Sequence, residues 1–250
     1  MPVAFGGADT ACAAYGAGLA KPGMAQLSTG TGGQIVVTLD RPVADPTRRS
    51  HLFRAVHDGG WYAMAALQNV GLALERAWRL LGVTWSEAYE LAATAPPGSA
   101  AVTFVPHLSG ERTPYLDTTL RGGWLGLGLG TERHHLVRAT FEGVAFGLRQ
   151  ALDTLREAGH VPPALALAGG GSQHPFWRQM LADILGVRLI AHAHPAASAR
   201  GAAALAAQAV GLIAEPPQPE STKADDITEP TNADCYAEAY DAFRRRSPLR

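Results

Sequence analysis

The chain has 250 residues, of which 47% are hydrophobic and 17% charged, a composition typical of a folded globular protein with a sizeable core. A net charge of -1 offers no electrostatic basis for binding nucleic acid or an anionic membrane. The two cysteines, Cys12 and Cys235, lie far apart and suggest neither a disulfide framework nor a zinc site. No secretory signal or bilayer-length apolar run is visible, so we expect a cytoplasmic protein without a membrane segment.

Strand and helix signals alternate along the chain and predict an α/β fold with a mixed sheet flanked by helices. A short strand is expected at residues 2–5, followed by a helix of small residues at 10–19. Two strands joined by a Gly/Thr turn follow in AQLSTGTGGQIVVTLD. The runs HLFRAV and WYAMA predict a second hairpin around Asp58, Gly59 and Gly60.

Apolar residues at helical spacing predict helices at 68–81, 86–93 and 132–158. A buried strand in AVTFVP and a long polar segment, HLSGERTPYLDTTLRGG, precede the last of these helices. Loops of that length inside a compact domain are often functional. The remaining chain predicts, in order, the strand and turn ALALAGGG, a helix at 176–185, the strand VRLIAHA, a helix at 201–213, a linker at 216–231 and a helix at 233–246.

Two glycine-rich turns could bring backbone N–H groups close to a phosphate. The turn at 28–33 joins two strands, and the turn at 169–172 ends a strand and opens a helix. Neither of the two lysines precedes Ser or Thr, which excludes a Walker A loop. The dinucleotide fingerprint fails because His174 and Ile35 stand where its third glycine belongs. Spacing alone leaves phosphoryl transfer and simple turn chemistry both open.

Asp9 follows two glycines and an alanine and precedes small residues in GGADTACAAYG. An aspartate in this position is a good helix N-cap, because its carboxylate can accept a hydrogen bond from a free N–H of the first turn. It could equally serve as a catalytic base. The two roles are compatible, and the local pattern does not choose between them.

Five stretches of the chain together carry a family resemblance: GGAD (6–9), STGTGG (28–33), PHLSGERTPYLD (106–117), GGWLGLGLGTERHHLVRATFEG (122–143) and LAGGGSQHPFWRQMLADIL (167–185). In this order they resemble the FGGY carbohydrate kinases, and among them most closely the xylulokinases, over about residues 3–213. The resemblance implies two lobes of the actin-like, ribonuclease-H-like fold with the active site between them. It implies that residues 1–215 are the C-terminal, nucleotide-binding domain, that 216–250 are its linker and terminal helix, and that the N-terminal sugar-binding lobe is absent.

The resemblance also implies roles for individual residues. Asp9 would be the general base that takes the proton from the attacking sugar hydroxyl, although Ala8 stands where the family usually has glycine. The residues expected at the ATP phosphates are Thr29, Gly30 and Thr31. Those expected around the adenosine are Gly71, Glu75, Gly170, Gly171 and Ser172. ATP and Mg²⁺ are the implied cofactors, and no residue is assigned as a metal ligand. Glu111 and Arg112 are typical of the subfamily, without a role that the sequence explains.

The implied function is ATP-dependent phosphorylation of a pentulose, D-xylulose to D-xylulose 5-phosphate. The implied partners are the sugar and an N-terminal lobe, supplied in cis or by a neighbouring reading frame, and a homodimer stays open. The alternatives are a kinase for another sugar or polyol, and a non-catalytic ATP-binding or interaction module. For the structure, we expect both glycine turns to open on one face. We also expect Asp9 and residues 106–112 to lie open as one side of a cleft.

Overall fold

A mixed β-sheet organises the computed structural model, which describes residues 2–57, 59–169, 174–191, 196–219 and 223–247. The strands in these ranges are β1 (Ala25–Thr29), β2 (Gly33–Leu39), β3 (His51–Arg54), β4 (Trp61–Leu67), β5 (Thr103–Val105), β6 (Gly123–Leu125), β7 (Ala164–Ala168), β8 (Arg188–Ala191) and β9 (Ile227–Thr228). The main sheet has the order β3-β4-β2-β1-β7-β8-β9, and β5 pairs with β6 apart from it. The β1–β7 and β7–β8 pairs are parallel, and the other neighbours are antiparallel.

Helices cover both faces of the sheet, as the predicted fold class requires. They are α1 (Asp9–Gly16), α2 (Gly71–Leu81), α3 (Trp85–Thr94), α4 (Arg133–Glu157), α5 (Pro175–Leu185), α6 (Ala197–Ala209) and α7 (Ala237–Arg246), with 3-10 turns at Ser99–Ala101, Ala224–Asp226 and Ala233–Tyr236. A capping box between Thr84 and Glu87 starts α3, and α2 ends at the left-handed Gly82. In the described part of the chain, no helix combines the length and apolarity needed to cross a bilayer.

Successive side chains of a strand point to opposite sides of the sheet. The central strands are buried on both faces because helices cover each side. In β2, Ile35 and Val37 belong to the main core, together with residues of α2, α4 and α5. Val36 belongs to a smaller apolar layer that includes residues of α1. Helix α6 lies across α1, and a Cβ atom at Gly201 would overlap the Cys12 carbonyl oxygen. The missing side chain therefore lets these two helices approach closely.

Helix α4 carries a buried ion pair through the main core. Arg138 Nε donates to Glu142 at 2.7 Å, and the rest of its guanidinium binds the Ala92 and Ala95 carbonyls at the end of α3 and the Tyr236 hydroxyl. Burial raises the pKa of Glu142, and Arg138 opposes that rise. Such a pair is costly to break, because removing one partner leaves a buried charge without its counter-charge.

Most predicted elements are confirmed, and four details differ. Residues 2–5 form no strand, because no strand in the described ranges pairs with them, and Phe5 is fully exposed. The three-residue β6 was not predicted. Helix α6 begins at Ala197, earlier than expected, since a run of alanines has no apolar stripe that marks its ends. The segment predicted as a linker contains β9, which pairs with β8.

Candidate functional site

The turn at residues 30–32 joins β1 to β2 and lies against the start of α2. The Gly71 N–H donates to the Gly30 carbonyl at 2.9 Å, and the Leu72 N–H donates to the Thr31 carbonyl at 3.0 Å. These bonds occupy donors that a helix start would otherwise leave free. In contrast, the Thr31 and Gly32 N–H groups donate to nothing within the described ranges, so they remain available to an anion. A Cβ at position 71 would overlap the Gly30 carbonyl oxygen, so the contact requires glycine.

An aromatic cavity of about 590 Å³ opens on one side of this turn. Trp85 and Tyr89 lie one turn apart on α3 and line it, and the His174 ring stacks on Tyr89 with a centroid distance of 3.7 Å. The His174 Nδ1 atom is buried and has no hydrogen-bond partner among the described residues. Gly71 and Glu75 line the cavity from α2. The size and aromatic walls of this cavity suit a planar heterocycle.

A second cavity, of about 540 Å³, opens on the other side of the turn and is called here the Asp9 cavity. Its lining includes Asp9, the turn residues 30–33 and Arg112. The two cavities share Gly30, Thr31 and Leu72. A ligand that crosses this turn can therefore reach from the aromatic cavity to Asp9.

Asp9 is exposed and is the first residue of α1, so Ala8 occupies the N-cap position. Its Oδ1 accepts the Thr10 N–H at 2.7 Å, which satisfies one donor of the helix start. Its Oδ2 accepts no hydrogen bond from the described residues. The expectation that Asp9 is the N-cap is therefore wrong, because Ala8 takes that position and Asp9 is the first helical residue. The catalytic-base role stays a prediction, which agrees with the place of Asp9 in the lining of the cavity.

The loop that carries Glu111 is tied to the start of α2 by a buried carboxylate. Glu111 is 4% exposed and accepts hydrogen bonds from the Gln68 N–H at 2.5 Å, the Arg112 N–H at 2.8 Å and the Asn69 amide at 3.2 Å. Burial would raise the pKa of Glu111, but the nearby His107 ring, whose Nδ1 lies 3.6 Å from the Glu111 Oε2, and these hydrogen-bond donors together hold it below its usual range. Glu111 therefore stays ionised at neutral pH and anchors the loop.

The expectation that residues 106–112 lie open is wrong for most of the segment. His107 is 1% exposed, and Glu111 is also buried, because both face a polar network inside the domain. His107 Nε2 shares a hydrogen bond with the Ser247 hydroxyl at 2.9 Å. Only Ser109 and Arg112 of this segment are exposed. The loop thus presents Arg112 to the Asp9 cavity and buries its neighbour.

The remaining predicted site residues occupy different environments. Thr29 is buried, and its hydroxyl donates to the Ala168 carbonyl at 3.3 Å. Glu75 is exposed and pairs with Arg79 at 2.5 Å, a surface contact that contributes little to stability. Gly170, Gly171 and Ser172 lie outside the described residues.

The two glycine-rich turns follow neighbouring strands. β1 and β7 run parallel, with Ser28 opposite Ala168, so both strands end at the same edge of the sheet. A Cβ at Gly169 would overlap the Thr29 carbonyl oxygen, which shows how closely the second turn starts beside the first. The prediction that both turns open on one face agrees with the structure as far as Gly169, the last described residue of the second turn.

Sequence reasoning missed several residues that line the two cavities. The sequence patterns assigned no site role to Trp85, Tyr89 or His174. The spacing of Trp85 and Tyr89, four residues apart on one helix, was a usable signal for a shared face. Nothing local pointed to Arg112 as a cavity residue, since its position depends on the fold of a long loop. Within the described ranges, no group of three or more His, Cys, Asp or Glu residues could hold a metal ion.

Comparisons with known proteins agree with this geometry. A family profile described as "FGGY family of carbohydrate kinases, C-terminal domain" matches residues 25–210. The chain is 32% identical to the xylulose kinase of Staphylococcus epidermidis, over 97% of this chain and 50% of that protein. It is 34% identical to the glycerol kinase of Alkalilimnicola ehrlichii, over 88% of this chain and 46% of that protein.

Among solved structures, a protein from Brucella ovis described as a xyloylose kinase superposes with a TM-score of 0.85 and 32% identity, over 95% of this chain and 50% of that one. The chain spans about half the length of the curated relatives named above. The solved kinase confirms the predicted fold class, a mixed sheet flanked by helices.

Proposed function

The chain belongs to the FGGY family of carbohydrate kinases, and we propose that it is the nucleotide-binding domain of an ATP-dependent pentulose kinase. One observation carries the proposal: a single turn separates an aromatic cavity from a cavity that contains an exposed aspartate. Adenosine would occupy the aromatic cavity, between Tyr89 and Glu75. The phosphates would cross the turn at Gly30 and Thr31, and the γ-phosphoryl group would face Asp9.

The chemistry would be a direct phosphoryl transfer. A sugar hydroxyl oxygen attacks the γ-phosphorus, the bond from this phosphorus to the β–γ bridging oxygen breaks, and ADP leaves with the electron pair. The hydroxyl proton passes to the free Oδ2 of Asp9 as the new bond forms. The Thr31 and Gly32 N–H groups would stabilise the negative charge on the transferred group.

The donor set fits a magnesium ion that arrives with the nucleotide rather than one held by a protein cage. Asp9 is the only carboxylate among the described residues that line its cavity. Mg²⁺ commonly binds through one or two carboxylates and substrate phosphates, and it would neutralise phosphate charge here. Among the described residues that line this cavity, Asp9 is the carboxylate that such an ion could reach.

We infer that the sugar is D-xylulose, because the Staphylococcus epidermidis and Brucella ovis relatives carry that activity in their names. The glycerol kinase relative supports a polyol as the second candidate. The sugar site would be completed by a second lobe, in the same polypeptide or in another chain. Residues 1–215 would form the nucleotide-binding domain, with 216–250 as its terminal segment, and the use of ATP suits a cytoplasmic location.

The test begins with titration of ADP into the 250-residue chain by calorimetry. It continues with a coupled ADP-release assay after addition of the N-terminal half of a xylulose kinase relative, using D-xylulose, D-ribulose, gluconate and glycerol. We expect ADP binding and turnover that is highest with D-xylulose. Asp9→Asn should lower kcat by roughly a hundred- to ten-thousand-fold and change ADP affinity less than about twofold.

Asp40→Asn is the matched control, because Asp40 is also exposed and lines neither cavity. Asparagine at position 9 can still accept the Thr10 N–H, so a folding defect is not expected. Full activity of the Asp9→Asn enzyme would leave this residue as a helix-supporting group only. Failure of the wild-type chain to bind ADP would contradict the nucleotide-binding role itself.

A further inference from the structure

We propose that Arg112 is a catalytic residue whose guanidinium contacts the transferred phosphoryl group, an inference that rests on the proposed kinase function. Arg112 is exposed and lines the Asp9 cavity. It forms no ion pair with an acidic side chain of the described residues. The site would therefore hold the phosphoryl group between backbone N–H donors of the turn and one arginine side chain.

The charge of the two cavities makes this arginine distinctive. Among the described residues that line either cavity, Arg112 is the only arginine or lysine. The acidic side chains there are Glu75 in the aromatic cavity and Asp9 in its own. A nucleoside triphosphate adds further negative charge beside these carboxylates, more than one Mg²⁺ compensates, and the chain's two lysines, Lys21 and Lys223, line neither cavity.

The backbone of Arg112 is held on both sides. Its N–H donates to Glu111 at 2.8 Å, and the next residue, Thr113, donates its N–H to the Ala66 carbonyl at 2.9 Å. Ala66 lies on β4, so the loop is fastened directly to the sheet. In contrast, the Arg112 guanidinium makes no hydrogen bond or ion pair with the described residues. A free cation on a fixed backbone is what electrostatic stabilisation of a transition state requires, since little reorganisation is needed.

The geometry favours the phosphoryl group over the sugar as the contact. The turn at 30–33 and Arg112 line one cavity, so a group bound to the Thr31 and Gly32 N–H donors shares that cavity with the guanidinium. A planar guanidinium offers paired donors that match phosphoryl oxygens, and the interaction is charge-assisted. Sugar hydroxyls are neutral and do not need this compensation.

The experiment compares two nucleotides that differ by the γ-phosphoryl group. ADP and a non-hydrolysable ATP analogue are titrated, each with Mg²⁺, into the wild-type chain, Arg112→Gln and Arg112→Lys. For Arg112→Gln we expect analogue affinity to fall about tenfold or more while ADP affinity changes less than about twofold. The analogue affinity of Arg112→Lys should lie between those of the wild-type chain and Arg112→Gln, because lysine keeps the charge and loses the paired donors. Arg41→Gln, an exposed arginine outside both cavities, is the control that should change neither affinity.

Turnover of the complemented enzyme separates the possible contacts. Contact with the phosphoryl group lowers kcat and leaves the sugar KM nearly unchanged. A raised sugar KM with unchanged analogue affinity would assign Arg112 to the sugar and overturn the proposal. Equal losses of ADP and analogue affinity, or no loss of either, would overturn it too. If the wild-type chain bound neither nucleotide, the proposed function would fail first, so the two failures are distinguishable.

Discussion

Gly71→Ala tests whether the contact between the turn and α2 shapes the nucleotide site. The added Cβ would overlap the Gly30 carbonyl oxygen and lie 3.2 Å from its carbonyl carbon and 3.6 Å from the Thr31 Cα. All three are backbone atoms, so no flexible side chain can move aside and the turn itself must shift. The shift also strains the hydrogen bonds from Gly71 and Leu72 to the turn, at 2.9 and 3.0 Å.

The expected magnitude follows from opposing effects. Overpacking costs about 1–3 kcal/mol, and alanine returns at most about 1 kcal/mol of helix propensity. With a mid-range overpacking cost of about 2 kcal/mol, we expect a net loss of about 1–2 kcal/mol in unfolding free energy and a fall in Tm of roughly 2–8 °C for a chain of this size. Loss of one hydrogen bond from the displaced turn to a charged phosphate costs about 1.5 kcal/mol or more, so ADP affinity should fall about tenfold.

Calorimetry measures both quantities, with scanning runs for Tm and titration for ADP affinity. Gly128→Ala is the control, because a Cβ there meets no atom within 4 Å and both values should stay unchanged. Unchanged Tm and affinity in Gly71→Ala would refute the steric argument. A lower Tm with unchanged ADP affinity would refute the link between this contact and the nucleotide.

Two further predictions concern buried charges. Because the Glu111 pKa lies below its reference value of 4.5, the carboxylate stabilises the fold at neutral pH, and this stabilisation is lost as pH falls through the folded-state pKa. Glu111→Gln should lower the unfolding free energy by about 1–3 kcal/mol at pH 7, measured by urea unfolding. A difference from wild type that did not shrink below about pH 4 would contradict this direction of the Glu111 pKa shift. Arg138→Met should cost about 3–5 kcal/mol by breaking the buried pair with Glu142. In a double-mutant cycle, adding Glu142→Gln should cost less than it does alone, and strictly additive losses would count against a coupled pair.

The sequence predicted most of the secondary structure and the order of the chemical motifs. Alternation in β2 and helical spacing in α2 and α4 are local patterns, because they arise from the geometry of a single element. The predictions failed where a partner decides the outcome. Residues 2–5 have strand-like side chains but no neighbouring strand, whereas the short β9 exists because β8 pairs with it.

The sequence by itself also identified Asp9 and the turn at 28–33 as candidates, since their residue types and flanking glycines are visible along the chain. Only the tertiary structure decided that this turn separates two cavities, with aromatic residues on one side and Asp9 with Arg112 on the other. Glu111 and Arg112 are adjacent in sequence, yet the fold buries one and exposes the other. The physical reason is that burial and charge compensation depend on contacts with Gln68, Ala66 and other residues more than forty positions away, which no local pattern records.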